Sequence, residues 1–124
     1  MGDKQTILIF DDDQELLDLC TVILEKKGFT VHTSTTCNNL FEKVNEHKPD
    51  VILMDNWIPD IGGVESTILL KSNPETRDIP VVFFSANNDV PALAAKAGAD
   101  TYITKPFNIS DLEETITEMV NSKA

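Results

Sequence analysis

Three short runs of uninterrupted apolar residues constrain this chain more than any other feature: Ile7-Leu8-Ile9-Phe10, Val51-Ile52-Leu53-Met54 and Val81-Val82-Phe83-Phe84. A strand with one face in water alternates apolar and polar residues, whereas a strand covered on both faces reads as a continuous apolar run. The three runs therefore describe central strands of a parallel sheet with helices packed on both sides. Each run also ends on polar groups: Asp11-Asp12-Asp13, Asp55 and Ser85. A fourth segment, Thr101 to Thr104, leads into Lys105-Pro106. Open α/β sheets place their chemistry outside the carboxyl ends of their strands. If the strands are neighbours, carboxylates, a hydroxyl and an ammonium converge at one edge.

Helical patterns fill the gaps between the strands. Strands are expected over residues 6–10, 30–34, 50–54, 80–84 and 100–104, and helices over 14–27, 38–47, 63–72, 89–97 and 111–122. In the first helix Leu16, Leu17, Cys20, Ile23 and Leu24 recur at helical spacing, and Gly28 follows as a stop. Leu40, Phe41 and Val44 mark the buried face of the second, and Val64, Ile68 and Leu69 that of the third. The fourth is alanine-rich and ends at Gly98. Ser110 with Glu113 forms a capping box for the fifth, whose buried face is Leu112, Ile116, Met119 and Val120. Strict alternation of strand and helix implies right-handed crossovers and a doubly wound five-stranded parallel α/β sheet. With no linker, repeat or low-complexity segment, residues 1–124 are expected to form one domain, with none following the fifth helix.

Composition excludes several functions. The 124 residues carry a formal net charge of −11, with Arg77 the one arginine. Sequence-independent nucleic-acid binding needs clustered Lys and Arg to neutralise phosphates, so direct nucleic-acid contact is not expected. No stretch approaches the ~20 apolar residues of a membrane span, and Met1 to Gln5 lack the apolar core of a signal peptide. Cys20 lies in a helical pattern, and Cys20 and Cys37 do not form a metal-type pair. A reduced, cytoplasmic protein is the simplest expectation. His32 and His47 read as surface residues, with no triad and no zinc spacing. Gly62-Gly63 is a loop that matches no phosphate-cradling pattern.

The strand-end residues have a definite chemistry. Asp13 reads as the cap of the first helix. Asp11 and Asp12 repel one another at a buried strand end unless a cation lies between them. Oxygen-only ligands suit Mg2+, which keeps waters and takes a few carboxylates together with phosphate. Asp55 is then the candidate nucleophile, because a carboxylate can form an aspartyl-phosphate. Ser85 can hydrogen-bond a phosphoryl oxygen, and the Lys105 ammonium can pair first with the acids and then with the phosphoryl group.

The ordered set Asp11-Asp12, Asp55, Ser85 and Lys105-Pro106-Phe107 resembles the receiver domain of two-component response regulators over essentially the whole chain. Pro59-Asp60, Gly63 and the stretch Ala97-Gly98-Ala99-Asp100 resemble the same family. The resemblance implies a flavodoxin-like sheet of order 2-1-3-4-5 in a stand-alone receiver. It implies that Asp55 accepts a phosphoryl group from a sensor histidine kinase or a phosphotransfer protein. Asp12 would be a direct Mg2+ ligand, assisted by Asp11 and Asp55 and by the backbone carbonyl of Trp57. Lys105 would touch a phosphoryl oxygen, Ser85 would swing toward it, and Tyr102 would rotate inward. These movements would remodel the face made by the fourth helix, fifth strand and fifth helix, which a downstream protein reads. The domain would be a monomer or a phosphorylation-dependent dimer. It would catalyse its own phosphorylation and dephosphorylation, with no separate turnover substrate.

Three positions depart from the family pattern. Ser85 stands where threonine is commoner, and Gly62 where an acid usually precedes the glycine. Trp57 is bulky for its place beside the phosphoacceptor, so shielding and slow dephosphorylation are expected. Two alternatives differ in class. Asp11-Asp12-Asp13 after an apolar strand resembles a phosphatase of the haloacid-dehalogenase type, but Gln14-Glu15 replaces the Gly-Thr of such sites. A receiver-like module used only for constitutive binding would not need its acids and Lys105.

Overall fold

Central strands form where the apolar runs lie. The first ends at Phe10 as the pattern indicates, and the other two end one residue later than it indicates, at Asp55 and Ser85. The computed structural model describes residues 4–56, 62–86 and 89–122. Its elements are β1 (Thr6–Phe10), α1 (Gln14–Lys26), β2 (Thr30–Ser34), α2 (Leu40–His47), β3 (Val51–Asp55), α3 (Gly63–Ser72), β4 (Val81–Ser85), α4 (Val90–Ala97), β5 (Thr101–Thr104) and α5 (Ile109–Ser122). The strands are all parallel in the order β2-β1-β3-β4-β5. Asp55 and Ser85 thus belong to their strands. Ladder register pairs Asp55 with Phe84 and Ser85 with Thr104, so both side chains have directions set by the pleat. No helix among the described residues is long and apolar enough to cross a membrane.

Alternation along the strands divides the core into two layers. Ile7, Ile9, Leu53, Phe84 and Ile103 face α1 and α5, where they meet Leu17, Cys20, Leu24, Leu112 and Ile116. Leu8, Phe10, Ile52 and Met54 face the other way, against Leu40, Val44 and Leu70. Phe83 packs with Val90 and Ala94 of α4. Full burial of each such side chain contributes about 1.5–3 kcal/mol. Residues of β3 and β4 are buried throughout, whereas β2 and β5, at the sheet margins, are partly exposed. The continuous apolar runs and the central positions coincide for this reason.

The helices depart from their sequence patterns at several points. α2 starts two residues later than expected, at Leu40, and α1 and α4 differ by one residue at an end. α5 and α3 differ in ways with a clear physical cause. The fifth begins at Ile109, not at 111, because Asn108 caps it: its Oδ1 accepts the Asp111 N–H at 2.7 Å. Asn caps a helix as well as Ser does, and Ser110 falls inside the first turn instead of forming a capping box. The third helix buries Gly63, Ser66, Thr67 and Leu70 and leaves Leu69 exposed. Of the expected face, Val64 packs partly buried against the Phe83 cluster and Ile68 is half-buried, but Leu69 faces solvent. Gly63 touches the backbone of Asp55, and that contact sets the rotation: residues three, four and seven positions onward must turn inward with it. The Lys105–Pro106 peptide is cis.

Candidate functional site

Asp11 directly follows β1 and is buried, with its N–H donated to the Ser34 carbonyl at 3.1 Å. Its Oδ1 accepts the Asp13 N–H at 2.9 Å, which closes the turn and aims the carboxylate along the sheet edge. Asp13 in turn caps α1, with Oδ1 accepting from Glu15 and Leu16 at 3.1 and 3.3 Å. Asp12, between them, is exposed. Asp55 ends β3 and is buried. Since β1 and β3 are neighbours, carboxylate oxygens of Asp11, Asp12 and Asp55 lie within 4.8 Å of one another.

Lys105 answers this charge. It follows β5, and its backbone N–H donates to the Ser85 carbonyl at 2.9 Å. Its Nζ donates to Asp55 Oδ1 at 2.8 Å and to Asp11 Oδ2 at 2.9 Å. Burial disfavours the ammonium, but hydrogen bonds to Asp55 and Asp11, together with their charges, outweigh it and hold Lys105 above its ordinary range. The same Nζ sits 4.5 Å from the centre of the Phe84 ring. Three carboxylates face one ammonium, an excess of two negative charges that a dication matches. Hard oxygen donors of which two are buried and one opens to solvent suit Mg2+, which keeps part of its water shell.

Ser85, fully buried, ends the strand beside Asp55. Tyr102 lies on β5 beside Phe83 and is 44% exposed. Trp57, Pro59 and Asp60 lie outside the described residues. His32 and His47, expected at the surface, instead stack with ring centroids 3.9 Å apart, half-buried between β2 and α2. Sequence reasoning missed Phe84 as part of the site. Its only signal was its place immediately before Ser85, where it read as core.

A family model described as the response regulator receiver domain matches residues 7–117. This chain belongs to the response regulator receiver family. The receiver is 34% identical over 108 residues to the phosphate regulon transcriptional regulatory protein PhoB of Klebsiella pneumoniae, a match covering 86% of this chain and 47% of that protein. It is 31% identical over 111 residues to the DNA-binding response regulator MtrA of Mycobacterium tuberculosis, covering 88% of this chain and 47% of that protein. The receiver thus spans about half the length of the curated relatives it matches. Among solved structures, a CheY-like response regulator receiver domain protein from Methanospirillum hungatei superposes with a TM-score of 0.87 at 28% identity, covering 98% of this chain and 97% of that one. The sheet order and the five crossing helices are those of this receiver fold.

Proposed function

We propose that this receiver domain is a phosphorylation switch that takes a phosphoryl group onto Asp55 from a sensor histidine kinase or a phosphotransfer protein. The observation that carries the reading is the Lys105 ammonium held between Asp55 and Asp11, at 2.8 and 2.9 Å, beside a third carboxylate. Asp11, Asp12 and Asp55 would hold Mg2+, with the Trp57 carbonyl as a further ligand. The bound ion would neutralise the nucleophile and the incoming phosphoryl oxygens together.

In the transfer, an Asp55 carboxylate oxygen attacks phosphorus and forms the P–O bond of an acyl phosphate. The P–N bond to the donor imidazole breaks, and its electron pair leaves with the ring. Lys105 moves from a carboxylate to a phosphoryl oxygen, keeping an ion pair throughout. Ser85, on the adjacent strand, turns its hydroxyl toward the phosphoryl group, and Tyr102 rotates inward from its exposed position. The α4-β5-α5 face changes shape, and a downstream protein or a second copy reads it. A bias of a few kcal/mol between two packings suffices for such a switch. The domain is its own substrate and turns over no other. Its net charge of −11 argues against nucleic-acid contact by this region.

The test is phosphate uptake from acetyl phosphate with Mg2+, followed by mass spectrometry. Asp55→Asn should abolish it. Uptake that persists in this variant at another residue would overturn the assignment, and steady hydrolysis of a phosphate ester would favour a phosphatase instead.

A further inference from the structure

The strand order sets Lys105 an awkward task. It leaves β5, yet its ammonium pairs with acids at the ends of β3 and β1. Neighbouring strands lie about 4.8 Å apart, so the side chain must cross the end of β4 to reach them. What it crosses is Phe84, whose ring centre lies 4.5 Å from Nζ. We infer that Phe84 is a positioning residue for phosphoryl transfer: its ring face fixes the Lys105 ammonium over the acidic cluster. The inference rests on the reading of Asp55 as phosphoacceptor.

Several observations converge on the ring. Phe84 is fully buried and stands in register beside Asp55. Its own carbonyl accepts the Asn56 N–H at 3.3 Å, which ties it to the loop leaving the phosphoacceptor strand. The Phe107 ring packs edge-on against it, with centroids 6.3 Å apart and planes at 60°. The next residue, Ser85, holds the other end of Lys105 through its backbone. Two successive residues of β4 thus grip one lysine, at its amide and at its ammonium. A lysine head is a point charge on a flexible stem. Two carboxylates define a line between them, and the ring supplies the third contact that fixes its height above that line. A cation over an aromatic face is attracted by the ring quadrupole, more strongly where water is excluded. When Asp55 takes the phosphoryl group, the ring keeps its contact with the ammonium as the ammonium passes from the carboxylate to the charge that develops on the phosphoryl oxygens.

A phenylalanine that merely fills the core predicts something different, and graded fluorination separates the two. Mono-, tri- and pentafluorinated phenylalanine placed at residue 84 keep shape and burial while progressively weakening, cancelling and then reversing the quadrupole. The readouts are the rate of Asp55 phosphorylation at saturating acetyl phosphate, the acetyl phosphate concentration at half-saturation, Mg2+ affinity by calorimetry and the thermal midpoint. The saturating rate should fall stepwise, by about three- to tenfold across the series, with the other three readouts nearly constant. Phe84→Met, which keeps the bulk without the ring, should match the trifluorinated protein. A flat series on a protein that labels Asp55 normally would overturn the role of Phe84 alone. So would a rate loss in Phe84→Met matched by an equal loss of Mg2+ affinity. Failure of the unsubstituted protein to label Asp55 would overturn the underlying reading together with it.

Discussion

A Cβ placed on Gly63 would stand 1.9 Å from the carbonyl oxygen of Asp55. The first residue of α3 therefore lies directly on the backbone of the candidate phosphoacceptor, with its own N–H donated to the Asn56 carbonyl at 3.1 Å. Backbone cannot yield as a flexible side chain would. Gly63→Ala should destabilise the domain by about 2–3 kcal/mol, in the range of overpacked cores. Chemical denaturation would show it as a lower midpoint. An alanine variant as stable as the parent would mean that α3 shifts freely against β3.

Lys105 neutralises two carboxylates that are almost wholly buried. Removing one partner of a buried pair leaves charge without compensation. Lys105→Met should lose about 2–4 kcal/mol of stability in chelator at neutral pH. Millimolar Mg2+ should restore much of that loss, and should restore more than it adds to the parent, because the ion then supplies the missing positive charge. Melting curves with and without Mg2+ test both statements.

The stacked His32–His47 pair makes the β2 margin sensitive to acid. His32 titrates below the ordinary imidazole range, chiefly through burial and next through His47, with Glu46 opposing. The unfolded chain takes up its proton near pH 6.5, the folded one only at lower pH. Between those two values the unfolded state holds more protons, so stability falls as pH drops below about 6.5 and levels off beneath the folded value. Above that window His32 contributes nothing to pH dependence. His47→Gln should make the slope shallower, as measured by denaturation midpoints across pH 5–7.5. An unchanged slope would remove His47 as a cause.

Cys20 sits behind the acidic cluster. Burial first, and the Asp11 charge second, push its thiol from 9.0 up to about 11, with Lys105 opposing. The thiolate is the reactive form. Iodoacetamide at pH 8 should label native Cys20 at least about a hundredfold more slowly than in the unfolded chain. Fast native labelling would mean that α1 lifts from the sheet.

Much of this was legible in the residues. The apolar runs located β1, β3 and β4, because burial on both faces removes the polar alternation that exposed strands keep. Asp13 was readable as a cap, since capping is a contact between residues two or three apart. Helix rotation was less so: the hydrophobic face of α3 misled, because one backbone contact at Gly63 outweighed the gain from burying Leu69. The start of α5 misled for a smaller reason, as Asn108 and Ser110 compete for the same cap.

The sequence by itself determined the element order, the strands that lie inside the sheet, and the acids that close them. Those properties follow from local pattern and chain connectivity. Only the tertiary structure decided what those acids face. Placing β1 between β2 and β3 brought Asp11 to Asp55, and folding Lys105 across the end of β4 joined residues 94 and 50 positions apart in the chain. Ion pairing and cation–π attraction depend on separations of a few ångströms, which no spacing along the chain specifies. That is why Phe84, an ordinary core residue by pattern, emerges as the floor beneath the ammonium.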